Sequence, residues 1–119
     1  MVPATQYQAS VESDVVGGGT SVVALNGDFD MSNSYEFERR LSEAFGPERT
    51  DIVVDLRGVR FLDSTMLGAL LRGLTRANQE GVGFALIRPN AFVWRVFVLT
   101  RLSEHFANYS SLHEALSER

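Results

Sequence analysis

A carboxylate and two hydroxyl groups stand side by side in Asp63-Ser64-Thr65, directly before a leucine-rich run with helical spacing. Aspartate, serine and threonine cap helix N-termini, because their side-chain oxygens accept hydrogen bonds from unpaired backbone N–H groups. The same helix end favours an anion, so a phosphate on a hydroxyl there can be accommodated without disrupting the fold. Taken by itself, the pattern favours helix capping over a modification site.

Residue types that carry out catalysis or bind metals are absent or lack their partners. The sequence has no cysteine, which excludes disulfides, thiolate metal sites and cysteine nucleophiles. His105 and His113 lack the H-x-x-x-H spacing of a metal site, and Ser64 lacks the G-x-S-x-G elbow of a hydrolase. Gly17-Gly18-Gly19 lacks the lysine of a phosphate-binding loop and is interpreted as a turn. We therefore expect no catalytic residue, no metal and no cofactor.

The composition is that of one small globular domain. The chain has 119 residues, of which 45% are hydrophobic and 22% charged, as is ordinary for a globular protein. The net charge of −4 argues against a nucleic-acid partner, which requires a concentrated basic surface. No run approaches the roughly 20 apolar residues that cross a membrane, and Met1–Ser10 lacks a secretory signal pattern. We expect a single cytoplasmic domain over residues 1–119, disordered at about residues 1–6.

Hydrophobic patterning predicts a hairpin followed by a helix in the first part of the chain. The predicted strands are Tyr7–Val16 and Thr20–Leu25, joined by the glycine turn. Asn26-Gly27-Asp28 is predicted to end the second strand. Asn33 and Glu36 then resemble a capping box at the start of an amphipathic helix. The apolar positions of that helix are Phe37, Leu41, Ala44 and Phe45.

The rest of the chain alternates between strands and helices. Asp51–Leu56 is apolar enough to be a central strand that is covered on both faces. The other predicted elements are a helix from the Asp63 turn to Gly81, a strand at Gly83–Ile87, a helix at Asn90–Thr100 with Val93, Val96, Phe97 and Thr100 on one stripe, and a short strand at Phe106–Tyr109. Ser111 with Glu114 is predicted to cap a final helix that extends through Leu116. This order predicts an α/β fold with a mixed, mostly parallel sheet, an N-terminal hairpin and about four helices.

Three segments together resemble the STAS domain family and its anti-sigma factor antagonists. Phe61–Gly68 (FLDSTMLG) is similar to the family's F-x-D-S-[ST]-G-L-G turn, which follows a strand ending in Asp-Leu, here Asp55-Leu56. Gly27–Asp30 (GDFD) resembles the G-E-L-D loop, and Val93–Leu102 resembles the V-R-R-V-L-E-L-T-G-L segment. The resemblance extends from about Thr20 to Leu116, most of the chain.

The resemblance implies a phosphorylation switch. In the family, the unphosphorylated antagonist binds an anti-sigma factor of the histidine-kinase-like ATPase type and so frees a sigma factor. Phosphorylation of the second hydroxyl in the D-S-[ST] turn ends the interaction, and a phosphatase is a further expected partner. Matched position by position, the acceptor here is Thr65, preceded by Asp63 and Ser64, and Asp30 matches a loop aspartate near the acceptor.

The sequence departs from the family pattern at four positions. Met66 replaces a glycine directly after the acceptor, where it would narrow a kinase's approach to Thr65 or contact a matched partner. Trp94 and Val98 replace exposed polar residues and lie four apart on a helix, off the predicted buried stripe. Either they pack on a neighbouring segment, or they form an exposed apolar contact for a partner or a weak homodimer. Arg101 replaces the glycine that usually stops this helix.

Two other roles within the family stay open. The domain could be the STAS subunit of a lipid-transport ATPase complex of the ABC type, in which the Thr65 hydroxyl contacts a partner helix without phosphorylation. It could also be a scaffold component of a large stress-sensing assembly, although such a component usually carries an added sensory domain. The antagonist role predicts a phosphate-sensitive complex with a soluble kinase, and the transporter role predicts one that is indifferent to phosphate.

Overall fold

A five-stranded sheet with helices on both faces forms the protein, and the computed structural model describes residues 9–118. The expected disorder at residues 1–6 and the first residues of the predicted strand at Tyr7 lie outside the described residues. The elements are β1 (Ser10–Val16), β2 (Thr20–Phe29), α1 (Ser34–Ala44), β3 (Asp51–Leu62), α2 (Ser64–Glu80), β4 (Gly83–Ile87), α3 (Ala91–Leu99), β5 (Ala107–Tyr109) and α4 (Leu112–Ser117).

The strands follow one another across the sheet in the order β1-β2-β3-β4-β5. β1 and β2 are antiparallel, and every later neighbouring pair is parallel. The predicted glycine hairpin is confirmed: Gly18 and Gly19 turn the chain with φ angles of 72° and 91°, which glycine adopts without steric cost. The mixed, mostly parallel α/β sheet predicted from the element order is therefore present.

Two hydrophobic cores lie on opposite faces of the sheet. The larger core contains Phe37 and Leu41 of α1, Leu70 of α2 and Phe97 of α3. The smaller core lies under α4 and joins Ala115 to one residue from each central strand, namely Val22, Val53 and Ile87. β3 is covered on both faces, as predicted, since Ile52, Val53 and Val54 are at most 2% exposed.

β2 and β3 continue well beyond their predicted ends. The prediction that Asn26-Gly27-Asp28 ends β2 is wrong, because the parallel pairing resumes after two register shifts and reaches Phe29 opposite Leu62. Gly58 lies opposite Asn26 in this pairing, and a Cβ there would meet the Asn26 side-chain amide and come within 3.0 Å of the Leu25 carbonyl oxygen. The glycine thus leaves room for the Asn26 side chain inside the strand and does not mark a break.

The predicted capping box at α1 is also wrong, because the Asn33 side chain bonds to the residues before it. Asn33 Oδ1 accepts from the backbone N–H of Asp30 at 2.9 Å, and Nδ2 donates to the Asp28 carbonyl at 2.9 Å. The cap predicted for α4 is confirmed, since Ser111 Oγ accepts from the backbone N–H of Glu114 at 3.0 Å.

Within residues 9–118, no helix has the length and apolar character needed to span a bilayer.

Candidate functional site

The Asp30–Asn33 loop and the Asp63-Ser64-Thr65 turn meet at one edge of the sheet. β2 and β3 run parallel, and their last residues, Phe29 and Leu62, are paired. The segments that leave the two strands therefore start side by side, at the carboxyl edge where parallel sheets usually place their binding sites. The backbone N–H of Asp63 donates to the Phe29 carbonyl at 3.1 Å and joins the two segments directly.

Asp63 holds both segments in place through its carboxylate. Oδ1 accepts from the backbone N–H of Met66 at 3.1 Å, which confirms the predicted helix cap. Oδ2 accepts from the backbone N–H of Met31 in the Asp30–Asn33 loop at 3.2 Å. One carboxylate therefore caps α2 and fixes the neighbouring loop, so Asp63 is primarily a positioning residue for this surface.

Asp30 carries an ionised carboxylate that is bonded within its own loop. Its Oδ1 accepts from the Ser32 hydroxyl at 2.5 Å and from the Ser32 backbone N–H at 2.9 Å. These two hydrogen bonds lower the pKa of Asp30, because they stabilise the charged form. The structure thus brings Asp30 beside the Asp63 turn through the shared loop, without a hydrogen bond from its side chain to Thr65 among the described residues.

Ser64 and Thr65 occupy the first two positions of α2, where the backbone N–H groups have no partner within the helix. The Ser64 side chain is exposed and Thr65 is partly exposed. Among residues 9–118, no hydrogen bond engages either hydroxyl. Both hydroxyls are consequently free for an intermolecular bond or for modification, beside N–H groups that favour an anion.

Met66 does not belong to this surface. Its side chain is 0% exposed and lies in the larger core. The expectation that Met66 contacts a partner or narrows the approach to Thr65 is therefore wrong. At the third position of α2 the side chain turns toward the sheet, on the same face as the buried Leu70.

Trp94 and Val98 lie on α3 and do not form one exposed patch. Trp94 is half-buried and stacks on Phe97 with ring centroids 4.8 Å apart, while Val98 is 51% exposed. Trp94 also packs against the larger core, as the packing interpretation expects, and Val98 is the more exposed of the two side chains. The predicted buried stripe is also wrong at Val96 and Thr100, which are exposed.

Sequence reasoning missed three exposed apolar residues in the segments that meet at the site or directly follow them. Met31 is 76% exposed in the loop that Asp63 holds, and Tyr35 is 74% exposed in the first turn of α1. Phe61 is 52% exposed and pairs with Asp28 across the β2–β3 ladder. The signal for Phe61 was its place in the F-x-D-S motif. Its exposure could not be inferred, because the alternation of buried and exposed residues reaches Phe61 only if β3 is known to extend to Leu62.

The sequence and the structure both match known STAS domains. The family model described as "Mlab, STAS domain" matches residues 15–116. The anti-sigma F factor antagonist of Paenibacillus polymyxa is 29% identical over 101 residues, covering 84% of this chain and 86% of that protein.

Solved structures agree with the sequence match. The crystal structure of an anti-sigma factor antagonist from Mycobacterium paratuberculosis superimposes with a TM-score of 0.84 at 26% identity, covering 93% of each chain. The anti-sigma factor antagonist SpoIIAA in its unphosphorylated form has the same fold, with a TM-score of 0.77 at 22% identity and coverage of 92% and 95%. With a family model that spans residues 15–116, this chain belongs to the STAS domain family.

Proposed function

We propose that this protein is an anti-sigma factor antagonist whose binding is ended by phosphorylation of Thr65. The unphosphorylated form binds an anti-sigma factor of the histidine-kinase-like ATPase type and thereby frees a sigma factor. The observation that carries the proposal is the Thr65 hydroxyl: no hydrogen bond in the described residues engages it, and it lies at the start of α2. The relatives of this chain that are named as anti-sigma factor antagonists support the same role.

The electrostatics of the site suit a switch that acts on the partner and not on the fold. A phosphate adds a charge of about −1.5 to −2, and unpaired N–H groups at the start of α2 stabilise that charge within the protein. The carboxylates of Asp63 and Asp30 already make the surface acidic, and the lowered pKa of Asp30 keeps its charge to more acidic pH than usual. A partner surface that tolerates this acidity would be repelled by the added charge, and like-charge contacts cost several kcal/mol.

The burial of Met66 supports phosphorylation at Thr65 as well. The methionine that replaces the family glycine lies in the core, so it leaves the solvent side of the turn open to a kinase. Ser64 is the more exposed of the two hydroxyl residues, which makes it the matched control for any test of Thr65. SpoIIAA has been solved in an unphosphorylated and in a phosphorylated form, and both structures share the fold of this chain.

The first experiment compares three baits: the wild type, Thr65→Glu and Ser64→Glu. Each is used to capture partners from the native host's lysate, with identification by mass spectrometry. We expect the wild type and Ser64→Glu to retain a soluble histidine-kinase-like ATPase and Thr65→Glu to lose it. All three should unfold cooperatively, because a glutamate in the first turn interacts favourably with the helix dipole. Equal capture by wild type and Thr65→Glu would contradict the switch.

A second role is favoured by the family model, which is described by the name Mlab. In that role the domain is the STAS subunit of a lipid-transport ATPase complex, and the Thr65 hydroxyl contacts a partner helix. The same three baits separate the two roles, since a transporter ATPase captured equally by all of them indicates the structural subunit. The phosphate-sensitive capture of a soluble kinase indicates the antagonist.

A further inference from the structure

The outer face of α3 is apolar although it faces solvent. Phe92, Val96 and Leu99 are 82%, 36% and 72% exposed and lie at intervals of four and three residues on one face. A helix with apolar residues on every side is normally buried, and α3 buries only Val93 and Phe97 fully. Exposed contiguous apolar surface of this kind marks an interaction site.

This face forms one wall of a groove, and the end of β3 forms the other. Phe61 contributes the β3 wall, while the buried side chains of Leu62 and Val93 form the floor. The groove, called here the α3 groove, has a volume of about 300 Å³. Its concave shape and apolar floor suit inserted side chains. The three α3 wall residues extend over two helical turns, about 10 Å at 1.5 Å per residue.

The charged residues that line the α3 groove are both arginines, namely Arg60, which has an interaction of its own, and Arg95. This is notable because the chain as a whole has a net charge of −4. Arg95 lies between Phe92 and Leu99 on the same helical face, is exposed, and has no ion pair among residues 9–118. The groove therefore combines apolar walls with positive charge, and its complement is an apolar surface flanked by carboxylates.

A second copy of this chain fits poorly. A two-fold contact through the α3 groove would use the same patch on both copies and would bring Arg60 and Arg95 near the arginines of the other copy. A bilayer surface is also a poor fit, because membrane-bound helices insert a projecting apolar face, whereas this apolar surface has a recessed floor.

We propose that the α3 groove binds an amphipathic helix of a partner protein, with apolar anchors in the groove and acidic residues beside Arg95. Helices that dock in grooves use anchors at i, i+3 or i+4 and i+7, the same intervals that Phe92, Val96 and Leu99 present. The proposal goes beyond the Thr65 switch, since it involves neither hydroxyl of the Asp63 turn. It gives the protein a second contact surface that is insensitive to phosphate.

Two matched peptide probes test the proposal on the full chain. Each is a capped, fluorescein-labelled helical peptide of about 15 residues with leucine and phenylalanine at the groove spacing. One peptide has glutamate at the flanking positions and the other has lysine. We expect fluorescence anisotropy to show binding of the glutamate peptide at least about tenfold tighter than that of the lysine peptide. Amide chemical-shift changes should map to α3 and the end of β3.

Variants outside the core provide the controls. Arg95→Glu should reverse the preference between the two peptides, and Leu99→Asp should weaken the glutamate peptide about tenfold or more. Arg72→Glu is the matched charge change on α2, away from the groove, and should leave binding unchanged. Thr65→Glu should also leave binding unchanged, so a failure of the phosphorylation switch would not affect this result. Thermal unfolding verifies that each variant is folded.

Four outcomes would overturn the proposal. The first is absence of binding by either peptide, and the second is equal binding of both. The third is binding to phosphatidylglycerol vesicles without binding to the glutamate peptide, which would make the groove a membrane contact. The fourth is a concentration-dependent dimer that Leu99→Asp abolishes, which would show that a second copy occupies the groove.

Discussion

Asp63 connects two elements because its two carboxylate oxygens accept hydrogen bonds from N–H groups on α2 and on the Asp30–Asn33 loop. Asp63→Ala removes both bonds and should lower the free energy of unfolding by about 2 kcal/mol, since a helix cap contributes about 1 kcal/mol and a hydrogen bond to a charged group at least as much. Urea denaturation followed by circular dichroism measures the change.

Asp63→Asn separates the two bonds. Asparagine caps helices as well as aspartate does, but it has a single acceptor oxygen, so the bond to the Met31 N–H is lost while the α2 cap persists. We expect about half of the alanine effect, together with faster hydrogen exchange at the Met31 amide. If that amide exchanges at the wild-type rate in Asp63→Asn, the carboxylate does not hold the loop.

Arg101 adopts the left-handed conformation that the missing family glycine would take, with φ 65° and ψ 8°. The α3 segment thus ends as a glycine-stopped helix does, but with a side chain that makes this conformation cost about 1–2 kcal/mol. Arg101→Gly should therefore stabilise the protein by about 0.5–1 kcal/mol, after the entropy cost of glycine is subtracted. Urea denaturation is the measurement.

Arg101→Ala is the matched control for that prediction. It removes the same long contact with Glu104, at 3.8 Å between exposed side chains, which contributes little. Because alanine keeps the cost of the left-handed conformation, it should not stabilise the protein. Equal stabilisation by glycine and alanine would assign the effect to the arginine side chain and not to the backbone.

Sequence reasoning succeeded for elements with a strong local signal. The Asp63-Ser64-Thr65 cluster and Ser111 were predicted to supply helix caps because an N-cap side chain bonds to a residue only two or three positions away. The capping bonds of Asp63 and Ser111 are both present. It failed where the decisive contact is distant. The continuation of β2 past Asn26 depends on pairing with Gly58, and no local pattern shows which residue will lie opposite.

The faces of α3 could not be predicted for a different reason. Its sequence, AFVWRVFVL, has Arg95 as its one charged residue, so the polar positions that normally reveal the solvent side of a helix are missing. Val96 was consequently assigned to the buried stripe and is exposed. The same lack of polar residues that misled the prediction produces the apolar wall of the α3 groove.

At the scale of the whole molecule, the two candidate contact surfaces both depend on the end of β3. Leu62 lies in the floor of the α3 groove, and the next residue, Asp63, caps α2. The extended β2–β3 pairing therefore supports the Thr65 turn on one side and the groove on the other. Such an arrangement allows one partner to contact both surfaces, or two partners to bind next to each other.

Acid should destabilise the molecule through carboxylates distributed over several elements. The pKa of Glu36 in α1 is lowered first by its hydrogen bond with Arg39, that of Glu114 in α4 by the Ser110 backbone N–H, and that of Asp30 by the Ser32 hydroxyl. The unfolded-state pKa of these carboxylates lies near 4. Because the folded-state pKa is lower, each group stabilises the folded protein at pH values above the unfolded-state pKa, and this stabilisation is lost as the pH falls through the folded-state pKa.

The urea midpoint should therefore fall below about pH 4.5, where the unfolded carboxylates begin to bind protons before the folded ones. Ser32→Ala removes the hydroxyl that bonds to Asp30, so it should raise the Asp30 pKa toward its usual value. The urea midpoint should then fall less steeply with decreasing pH, because the contribution of Asp30 is reduced. Carboxyl chemical shifts followed during an acid titration resolve Asp30 from Glu36 and Glu114. A midpoint that rises between pH 5 and pH 3 would reverse the sign of this linkage and would show that the three carboxylates are not held in their charged forms by the fold.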